Sequence, residues 1–275
     1  MRKDNHQRGN ERHSQAVAEH NHARGITLEP SFSLHFRGYQ GIFAENKMSV
    51  AQNISDIRER IAAACKRAGR QPHEVTLIAV TKTQPVSIIR EAVNAGITVL
   101  GENRVQEADD KVPKLGAEVS WHLVGHLQTN KVKKALSLFS VIQSVDSLRL
   151  AQEIQRQAEA SKQTVRVFIE VNTSGEATKF GIEPKLAPEL AKHIAEFPNL
   201  RLGGLMTIGA LTAQTEIIRG CFQRLRELRN EIRGSNAPHT ALLDLSMGMT
   251  DDFEIAIEEG ATIVRIGRAI FGERN

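Results

Sequence analysis

Lys82 has the most readily interpreted chemistry in this sequence, because it stands two residues after the apolar segment at residues 75–80, with Thr81 between them. A lysine at the end of a buried strand lies among low-dielectric walls, which favour the neutral amine over the ammonium. A neutral amine is the nucleophile that forms a Schiff base with an aldehyde. The alternative is a lysine that only leads from the strand into solvent, and the spacing by itself leaves that alternative open.

Two glycine-containing segments near the carboxyl end of the chain have the composition of phosphate-binding loops. They are residues 246–250, Ser-Met-Gly-Met-Thr, and residues 267–268, Gly-Arg, and each follows an apolar segment. In such loops backbone N–H groups, which glycine lets approach closely, bind the phosphate, and hydroxyl or guanidinium groups add contacts. The candidate phosphate contacts are Ser246, Gly248, Met249, Thr250, Gly267 and Arg268. Tight turns without a ligand are the alternative interpretation.

Two acidic residues follow the first of these loops. Asp251 and Asp252 would repel a phosphate placed directly on the next helix. We therefore interpret them as helix caps, and Asp251 and Glu254 have the spacing of a capping box.

Arg265 lies two residues before Gly267. Because residues two apart in a strand share one face, Arg265 is expected to point into a barrel built from these strands. A buried guanidinium needs an acceptor. A pyridine nitrogen would serve, and so would a carboxylate such as that of Glu170.

His122 and His126 could suggest a metal site or a catalytic base. Their spacing on a strand and turn lacks the helical geometry of a zinc protease, and no nucleophile-elbow, zincin or P-loop motif occurs in the sequence. We interpret both histidines as hydrogen-bonded residues that line the site. Trp121 is interpreted as a core residue, and no metal site is predicted.

The elements that must position these residues alternate regularly along the chain. Apolar or β-branched segments recur near residues 75–80, 98–101, 120–124, 140–145, 165–171, 201–206, 242–246 and 262–266. Amphipathic segments separate most of them, for example at residues 86–94, 148–160, 186–197, 217–232 and 252–259. Strands alternating with helices form right-handed units around a parallel sheet.

Eight such units in this length favour a single closed (β/α)8 TIM barrel over an open doubly wound sheet, and no Gly-x-Gly-x-x-Gly follows any strand. The active face of such a barrel is built from the carboxyl ends of the strands. Asn103 follows the second predicted strand and Met206 ends the sixth, so both join the candidate site.

The composition excludes several classes of protein. The chain has 275 residues, of which 40% are hydrophobic, as in an ordinary globular protein. Its longest apolar run covers residues 61–65, whereas a membrane-spanning helix needs roughly 20 apolar residues. Of the 36 Lys+Arg and 32 Asp+Glu, residues 1–47 hold seven and five, which leaves 29 against 27 in a nearly neutral body. With 4% aromatic residues as well, we predict no nucleic-acid binding.

Residues 1–47 differ from the rest of the chain. They hold five of the ten histidines and the only tyrosine, Tyr39, and they lack both periodicity and the apolar region of a secretory signal. We predict a disordered extension or a segment upstream of the true start at Met48, followed by one domain over residues 48–275. Cys65 and Cys221 have no disulfide or metal spacing, which is typical of a reducing cytoplasm.

From Met48 onward the chain resembles the YggS/PROSC family of pyridoxal phosphate (PLP) homeostasis proteins, which is related to the N-terminal barrel of alanine racemase (fold-type III PLP proteins). Six blocks in order carry the resemblance: Ala-Val-Thr-Lys-Thr at 79–83, Gly-Glu-Asn-Arg-Val-Gln-Glu at 101–107, Trp-His-Leu-Val-Gly-His-Leu-Gln-Thr-Asn-Lys at 121–131, Gly-Leu-Met-Thr at 204–207, Ser-Met-Gly-Met-Thr-Asp-Asp at 246–252 and Val-Arg-Ile-Gly-Arg-Ala-Ile-Phe-Gly at 264–272.

The resemblance implies a monomeric barrel that carries PLP as a Schiff base on Lys82. It further implies that Arg265 contacts the pyridine nitrogen and that the loops at 246–250 and 267–268 hold the phosphate. Its implied role is to buffer the cofactor or deliver it, with apo-forms of PLP enzymes as candidate recipients. The sequence departs from the family at Thr250, where serine is frequent, and at Arg268, where threonine or serine is common.

The alternative function is a PLP-dependent amino-acid racemase or related enzyme. Racemases related to this family use the cofactor lysine on one face and a tyrosine from a second domain on the other. Here the only tyrosine, Tyr39, lies in the extension. An arginine at the ring nitrogen donates a hydrogen bond and leaves the ring unprotonated, which makes it a poorer electron sink. The sequence therefore predicts a cofactor-binding homeostasis protein without strong catalysis.

Overall fold

The computed structural model describes residues 49–234 and 243–272. Within them, eight parallel strands follow one another in chain order around a closed barrel, and β1 pairs with β8 to complete the ring. The strands are β1 Thr76–Val80, β2 Val99–Glu102, β3 Ser120–Leu123, β4 Val141–Val145, β5 Val165–Glu170, β6 Leu200–Met206, β7 Asp244–Ser246 and β8 Ile263–Ile266.

Helices surround this barrel in the described part of the chain. They are α1 Val50–Arg67, α2 Val86–Asn94, α3 Val105–Leu115, α4 Val132–Leu136, α5 Leu148–Ala160, α6 Ala187–Glu196, α7 Thr215–Gly234, α8 Phe253–Glu258 and α9 Arg268–Phe271. None of the described helices combines the length and the apolar composition that crossing a membrane requires.

The first helix illustrates how the sequence specifies these elements. The hydroxyl of Ser49 caps α1 by accepting a hydrogen bond from the N–H of Gln52. Residues at helical spacing, Ile54, Ile57 and Ile61, are buried on one face, as an amphipathic helix on a barrel requires. Gly69, just after the helix, has a φ of 65°, a left-handed conformation that favours glycine.

The predicted (β/α)8 barrel is confirmed, and all eight predicted strands form, with small differences at their ends. Helices α3, α4 and α9 were not predicted. Helix α4 has five residues and α9 four, which is too short to show a period, while α3 contains Pro113 and buries Lys111 among its apolar residues. The extension at residues 1–47 lies outside the described residues, and its predicted disorder stays a prediction.

The inner face of the barrel has an apolar part and a polar part. An apolar cluster contains Ile78, Val141, Phe168, Met206 and Ile263. On three strands, a polar residue follows two positions closer to the carboxyl end of the strand and is also buried: Gln143 on β4, Glu170 on β5 and Arg265 on β8. Because residues two apart share a face, these polar side chains also point inward. The candidate chemistry therefore lies inside the barrel toward its carboxyl-terminal end.

A variant that begins at Met48 should fold with a melting temperature close to that of the full chain. Residues 46–275 form one compact unit, and every barrel strand finds its partners there. Circular dichroism and thermal melting of the two purified proteins test this expectation.

The control variant begins at Ala68 and loses α1, whose Asn53 side chain bonds the carbonyl of Ile270 at 2.8 Å and whose buried face packs in the core. It should not fold. A Met48 variant that also failed to fold would show that the extension contributes to the stability of the barrel.

Candidate functional site

Lys82 lies in a tight turn directly after β1. The N–H of Gln84 donates to the carbonyl of Thr81 at 3.0 Å, so Lys82 and Thr83 occupy the centre of the turn. Thr83 has a φ of 64°, a conformation rarely adopted by a β-branched residue. Such strain costs on the order of 1–3 kcal/mol and persists only where surrounding contacts impose it. Lys82 itself is half-buried.

A buried ionic cluster imposes this turn. The ammonium of Lys111 on α3 donates to the carbonyl of Thr81 at 2.9 Å, to Glu102 Oε2 at 2.8 Å and to Glu107 Oε2 at 2.9 Å. Glu102 also accepts from the hydroxyl of Thr81 at 2.8 Å, and Glu107 accepts from the strained N–H of Thr83 at 2.8 Å. Both neighbours of Lys82 are therefore held through groups that share one cation.

No role was predicted from the sequence for the residues of this cluster. Glu107 and Lys111 stand at the i,i+4 spacing of a helical ion pair, which is usually a surface feature. Here Glu102 is fully buried, with a side-chain exposure of 0%. Because side chains alternate between the two faces of β2, Glu102 points away from the barrel interior toward α3. The pair of Glu102 and Lys111 therefore lies between the barrel and the helix. No sequence pattern reveals that a surface-type pair is buried in this position.

Arg265 lies inside the barrel, as predicted, with 4% of its surface exposed. Its Nη1 donates to the hydroxyl of Ser246 at 2.8 Å and its Nη2 to the carbonyl of Thr207 at 2.8 Å. The sequence left open whether a carboxylate such as that of Glu170 would be the partner. In the described residues Arg265 forms no ion pair within hydrogen-bonding distance, and its direct partners are neutral. Burial lowers its pKa to about 10, although the charges of Asp252 and Glu170 act in the opposite direction, so the guanidinium stays cationic at neutral pH.

Ser246 belongs to this interior network. Its hydroxyl donates to Gln143 Oε1 at 2.6 Å while it accepts from Arg265, and the amide nitrogen of Gln143 lies 2.9 Å from His122 Nδ1. A hydroxyl has one proton, so the predicted phosphate contact through this group would require the bond to Gln143 to break. His122 is the hydrogen-bonded lining residue that the sequence suggested, and burial together with the charge of Arg166 lowers its pKa to about 4.

Glu170 carries an unsatisfied oxygen inside the barrel. The carboxyl is buried, and its Oε2 has no hydrogen-bond partner in the described structure. Burial, reinforced by the charge of Asp146 and opposed by that of Arg265, raises the pKa of Glu170 to about 7. A buried polar atom without a partner is costly, so this oxygen lies at a place where a ligand or water would supply the missing bond.

The two predicted phosphate loops are joined to each other. The N–H of Arg265 donates to the carbonyl of Gly248 at 2.9 Å, and the hydroxyl of Thr250 accepts from the N–H of Ala269 at 3.4 Å. Across the surface, the guanidinium of Arg268 donates to Asp251 at 2.6 Å. Gly248 has a φ of 94°, and a Cβ there would lie 2.6 Å from the Cβ of Ala256, so only glycine fits this turn.

The predicted capping box of Asp251 and Glu254 is wrong. Asp252, not Asp251, precedes the first residue of α8, and its Oδ1 accepts from the N–H of Met249 at 2.6 Å. Asp251 pairs with Arg268, and Glu254 pairs with Arg60 at 2.7 Å. The ionic partners come from other segments of the chain, so the local spacing did not reveal them.

The remaining predicted residues occupy different surroundings. Asn103 is half-buried after β2, and its backbone passes so close to Gly125 that a Cβ at position 125 would lie 2.4 Å from its carbonyl oxygen. Met206 is fully buried in the apolar cluster of the inner face. At Gly267, a Cβ would lie 3.2 Å from the carbonyl oxygen of Val80, so β8 and β1 run close together below Lys82.

His126 lies at the rim of the barrel. Its Nδ1 is 3.3 Å from Asp146 Oδ2, and its ring stacks on that of Phe180 with centroids 4.2 Å apart. Trp121 is buried in the core, as predicted. Within residues 49–234 and 243–272, no three His, Cys, Asp or Glu side chains come together in an arrangement that could hold a metal ion.

Comparison with known proteins gives this site a context. Residues 52–275 match the family described as the alanine racemase N-terminal domain. The alanine racemase of Clostridium difficile, at 13% identity and a TM-score of 0.64, shares the fold over 80% of this chain and 60% of its own. The fold and the family match together define a barrel of the alanine racemase N-terminal class.

Closer relatives narrow the class. The pyridoxal phosphate homeostasis protein of Aquifex aeolicus is 46% identical over 228 residues, which cover 82% of this chain and 99% of that protein. The structure of PipY from Synechococcus elongatus, solved with PLP bound, has a TM-score of 0.72 and 32% identity and covers 82% of this chain and all of its own. The chain belongs to the family of pyridoxal phosphate homeostasis proteins.

Replacing Lys111 with methionine should destabilise the protein by about 3–5 kcal/mol, because Glu102 would keep a buried charge without its cation. Urea unfolding of the wild type and of Lys111→Met measures the difference.

The matched control is Lys134→Met, which breaks the exposed pair of Lys134 and Asp109, with side-chain exposures of 51% and 45%. That change should cost less than about 1 kcal/mol. Equal losses in the two variants would contradict the structural role of the buried cluster.

Proposed function

We propose that this protein binds PLP in the mouth of its barrel as a Schiff base on Lys82 and serves PLP homeostasis as a carrier of the cofactor. The observation that carries the proposal is the buried guanidinium of Arg265, which lies on the strand next to the one that leads into Lys82. Strands β8 and β1 are paired, with Arg265 opposite Ile78, four residues before Lys82. When bound, PLP supplies an aldehyde for the lysine and a ring nitrogen that accepts a hydrogen bond.

The donor set of Arg265 fits that ring nitrogen. A guanidinium has five N–H groups and no acceptor. In the described structure, one N–H of each terminal nitrogen is used, by Ser246 and by Thr207. The other N–H groups leave this buried cation able to donate to an acceptor inside the barrel, and a pyridine nitrogen is such an acceptor. The neutral contacts of Arg265 support this assignment over that of an ion-pair partner.

At the other end of the cofactor, we propose that the loops at 246–250 and 267–268 hold the phosphate through their backbone N–H groups, while the hydroxyl of Ser246 keeps its bond to Gln143. Support comes from their mutual connections, since the backbone bond from Arg265 to Gly248 fixes one loop against the strand that leads into the other. Thr250 and Arg268 would contribute a hydroxyl and a guanidinium. For Arg268 the contact competes with its pair to Asp251. Asn103 and Met206 are proposed contacts of the ring or of its substituents.

A carrier needs to hold the cofactor without using it in rapid catalysis. A cationic arginine donates to the ring nitrogen but does not protonate it, and the unprotonated ring withdraws electrons less strongly. The barrel also lacks the second catalytic residue of a two-base racemase, since the only tyrosine of the sequence is Tyr39. We propose that the protein acts as a monomer in the cytoplasm and passes PLP to apo-forms of PLP enzymes.

The purified protein should absorb visible light, and borohydride should fix the cofactor covalently on Lys82, because reduction converts a Schiff base into a stable amine. Peptide mapping by mass spectrometry identifies the modified lysine. The variant Lys82→Ala should carry no covalent label, whereas the control Lys185→Ala, which removes a surface lysine paired with Glu183, should be labelled like the wild type. A label on any other lysine would overturn the assignment.

The PLP-loaded protein should show negligible racemisation of D- or L-alanine. Lys82 reaches one face of the bound amino acid, and no tyrosine of residues 48–275 is available to serve the other. Chiral chromatography measures the inversion, and deuterium exchange at the α-carbon with retention of configuration is compatible with a single base. Inversion at about 1–10³ per second, the range of ordinary enzymes, would refute the carrier function.

A further inference from the structure

Three buried side chains connect Arg265 to the opposite side of the barrel. Arg265 on β8 donates to Ser246 on β7, Ser246 donates to Gln143 on β4, and Gln143 lies against His122 on β3. The distances are 2.8, 2.6 and 2.9 Å, and Gln143 and Ser246 are both fully buried. We call this set of four residues the interior relay.

With the amide oxygen of Gln143 facing Ser246, as the structure places it, the hydrogen atoms of the relay have one consistent arrangement. Arginine only donates, so the oxygen of Ser246 accepts from Arg265 and its single proton goes to Gln143 Oε1. The other end of the Gln143 amide is an NH₂ group, which also only donates, so His122 Nδ1 must accept. His122 is therefore neutral and carries its proton on Nε2.

The electrostatics of the barrel agree with this arrangement. Burial and the charge of Arg166 lower the pKa of His122 to about 4, so the ring is neutral at physiological pH. A protonated His122 would place an N–H against the N–H of Gln143. The relay thus ends in the uncharged ring of His122, and Arg265 is its one cationic member.

From this geometry we infer that Gln143 and His122 are positioning residues, which hold the guanidinium of Arg265 in a single orientation toward the ring nitrogen of the cofactor. The inference rests on the proposed function and extends it to two residues on the far side of the barrel. Neither residue needs to touch the cofactor. The guanidinium also donates to the carbonyl of Thr207. Thr207 is itself held in place, because its hydroxyl donates to the carbonyl of Val171 at 2.7 Å. Removing the relay would leave Arg265 held on one side only.

The first test uses the PLP-loaded full-length protein with Gln143→Leu. Leucine fills a comparable volume without the polar atoms of glutamine and ends the relay at Ser246. We therefore expect PLP to be released about tenfold faster, as loss of one positioned hydrogen bond to a charged group allows, with a shifted visible absorption band. The matched control is Gln155→Leu. Gln155 is also a buried glutamine, on α5, and it bonds Asn199 outside the barrel interior. It should lose a similar amount of thermal stability while its PLP release and absorption stay unchanged.

A second test reads the relay directly in the cofactor-free protein. Nitrogen-15 NMR of the His122 ring should show a neutral imidazole protonated on Nε2. In Gln143→Glu, the carboxylate still accepts from Ser246 but offers His122 only an acceptor, so His122 should switch to a proton on Nδ1 or become cationic.

The outcomes separate the inference from the proposed function. Equal release rates and equal spectra in Gln143→Leu and Gln155→Leu would overturn the positioning role, as would a wild-type His122 protonated on Nδ1. A wild type that bound no PLP would overturn the proposed function and with it the role toward the cofactor, whereas the NMR measurement would still decide whether the relay exists.

Discussion

A cation buried inside the barrel is the constraint on which the polar interior depends. Moving a guanidinium out of water is expensive, and a buried charge is tolerated only when its surroundings satisfy it. Arg265 has no carboxylate in direct contact within the described chain, and its bonds go to a hydroxyl and a carbonyl. The order of Ser246, Gln143 and His122 then follows, because Ser246 and Gln143 each accept on one side and donate on the other, and His122 accepts at the end. The same requirement keeps His122 neutral.

The turn that contains Lys82 is held by a second buried charge, which lies outside the barrel. Lys111 and Glu102 lie between barrel and helix, and they hold the turn of Lys82 in a conformation that Thr83 would otherwise avoid. Few backbone conformations satisfy the hydrogen bonds of this strained turn. The turn therefore restricts the position of the Lys82 Cα more than a relaxed turn would. Two buried cations, Arg265 inside the barrel and Lys111 between the barrel and α3, therefore hold the two parts of the candidate site in place.

The same fold occurs in enzymes and in homeostasis proteins, so the barrel does not decide the function. At 13% identity, the likeness to alanine racemase concerns the chain path. What this chain places in its barrel is a buried guanidinium, Arg265, bonded to neutral groups, on the strand paired with the one that leads into Lys82. Glu170, with a pKa of about 7 and an oxygen without a hydrogen-bond partner in the described structure, is a further titratable group of this interior.

The amino-acid pattern alone predicted the barrel and the residues of its candidate site. Apolar segments alternating with amphipathic ones predicted eight strands, and the period of two placed Arg265 inside, because strand geometry is local and repeats along the chain. The tertiary structure alone decided the partners. The hydroxyl of Ser246 bonds Gln143, which is 103 residues away in sequence. Asp251 pairs with Arg268 and does not cap α8. Lys111 has the i,i+4 spacing of a surface ion pair with Glu107, and the packing of α3 on β2 buries it. Such contacts depend on which side chains from distant segments meet inside the closed barrel, and no local pattern encodes that meeting.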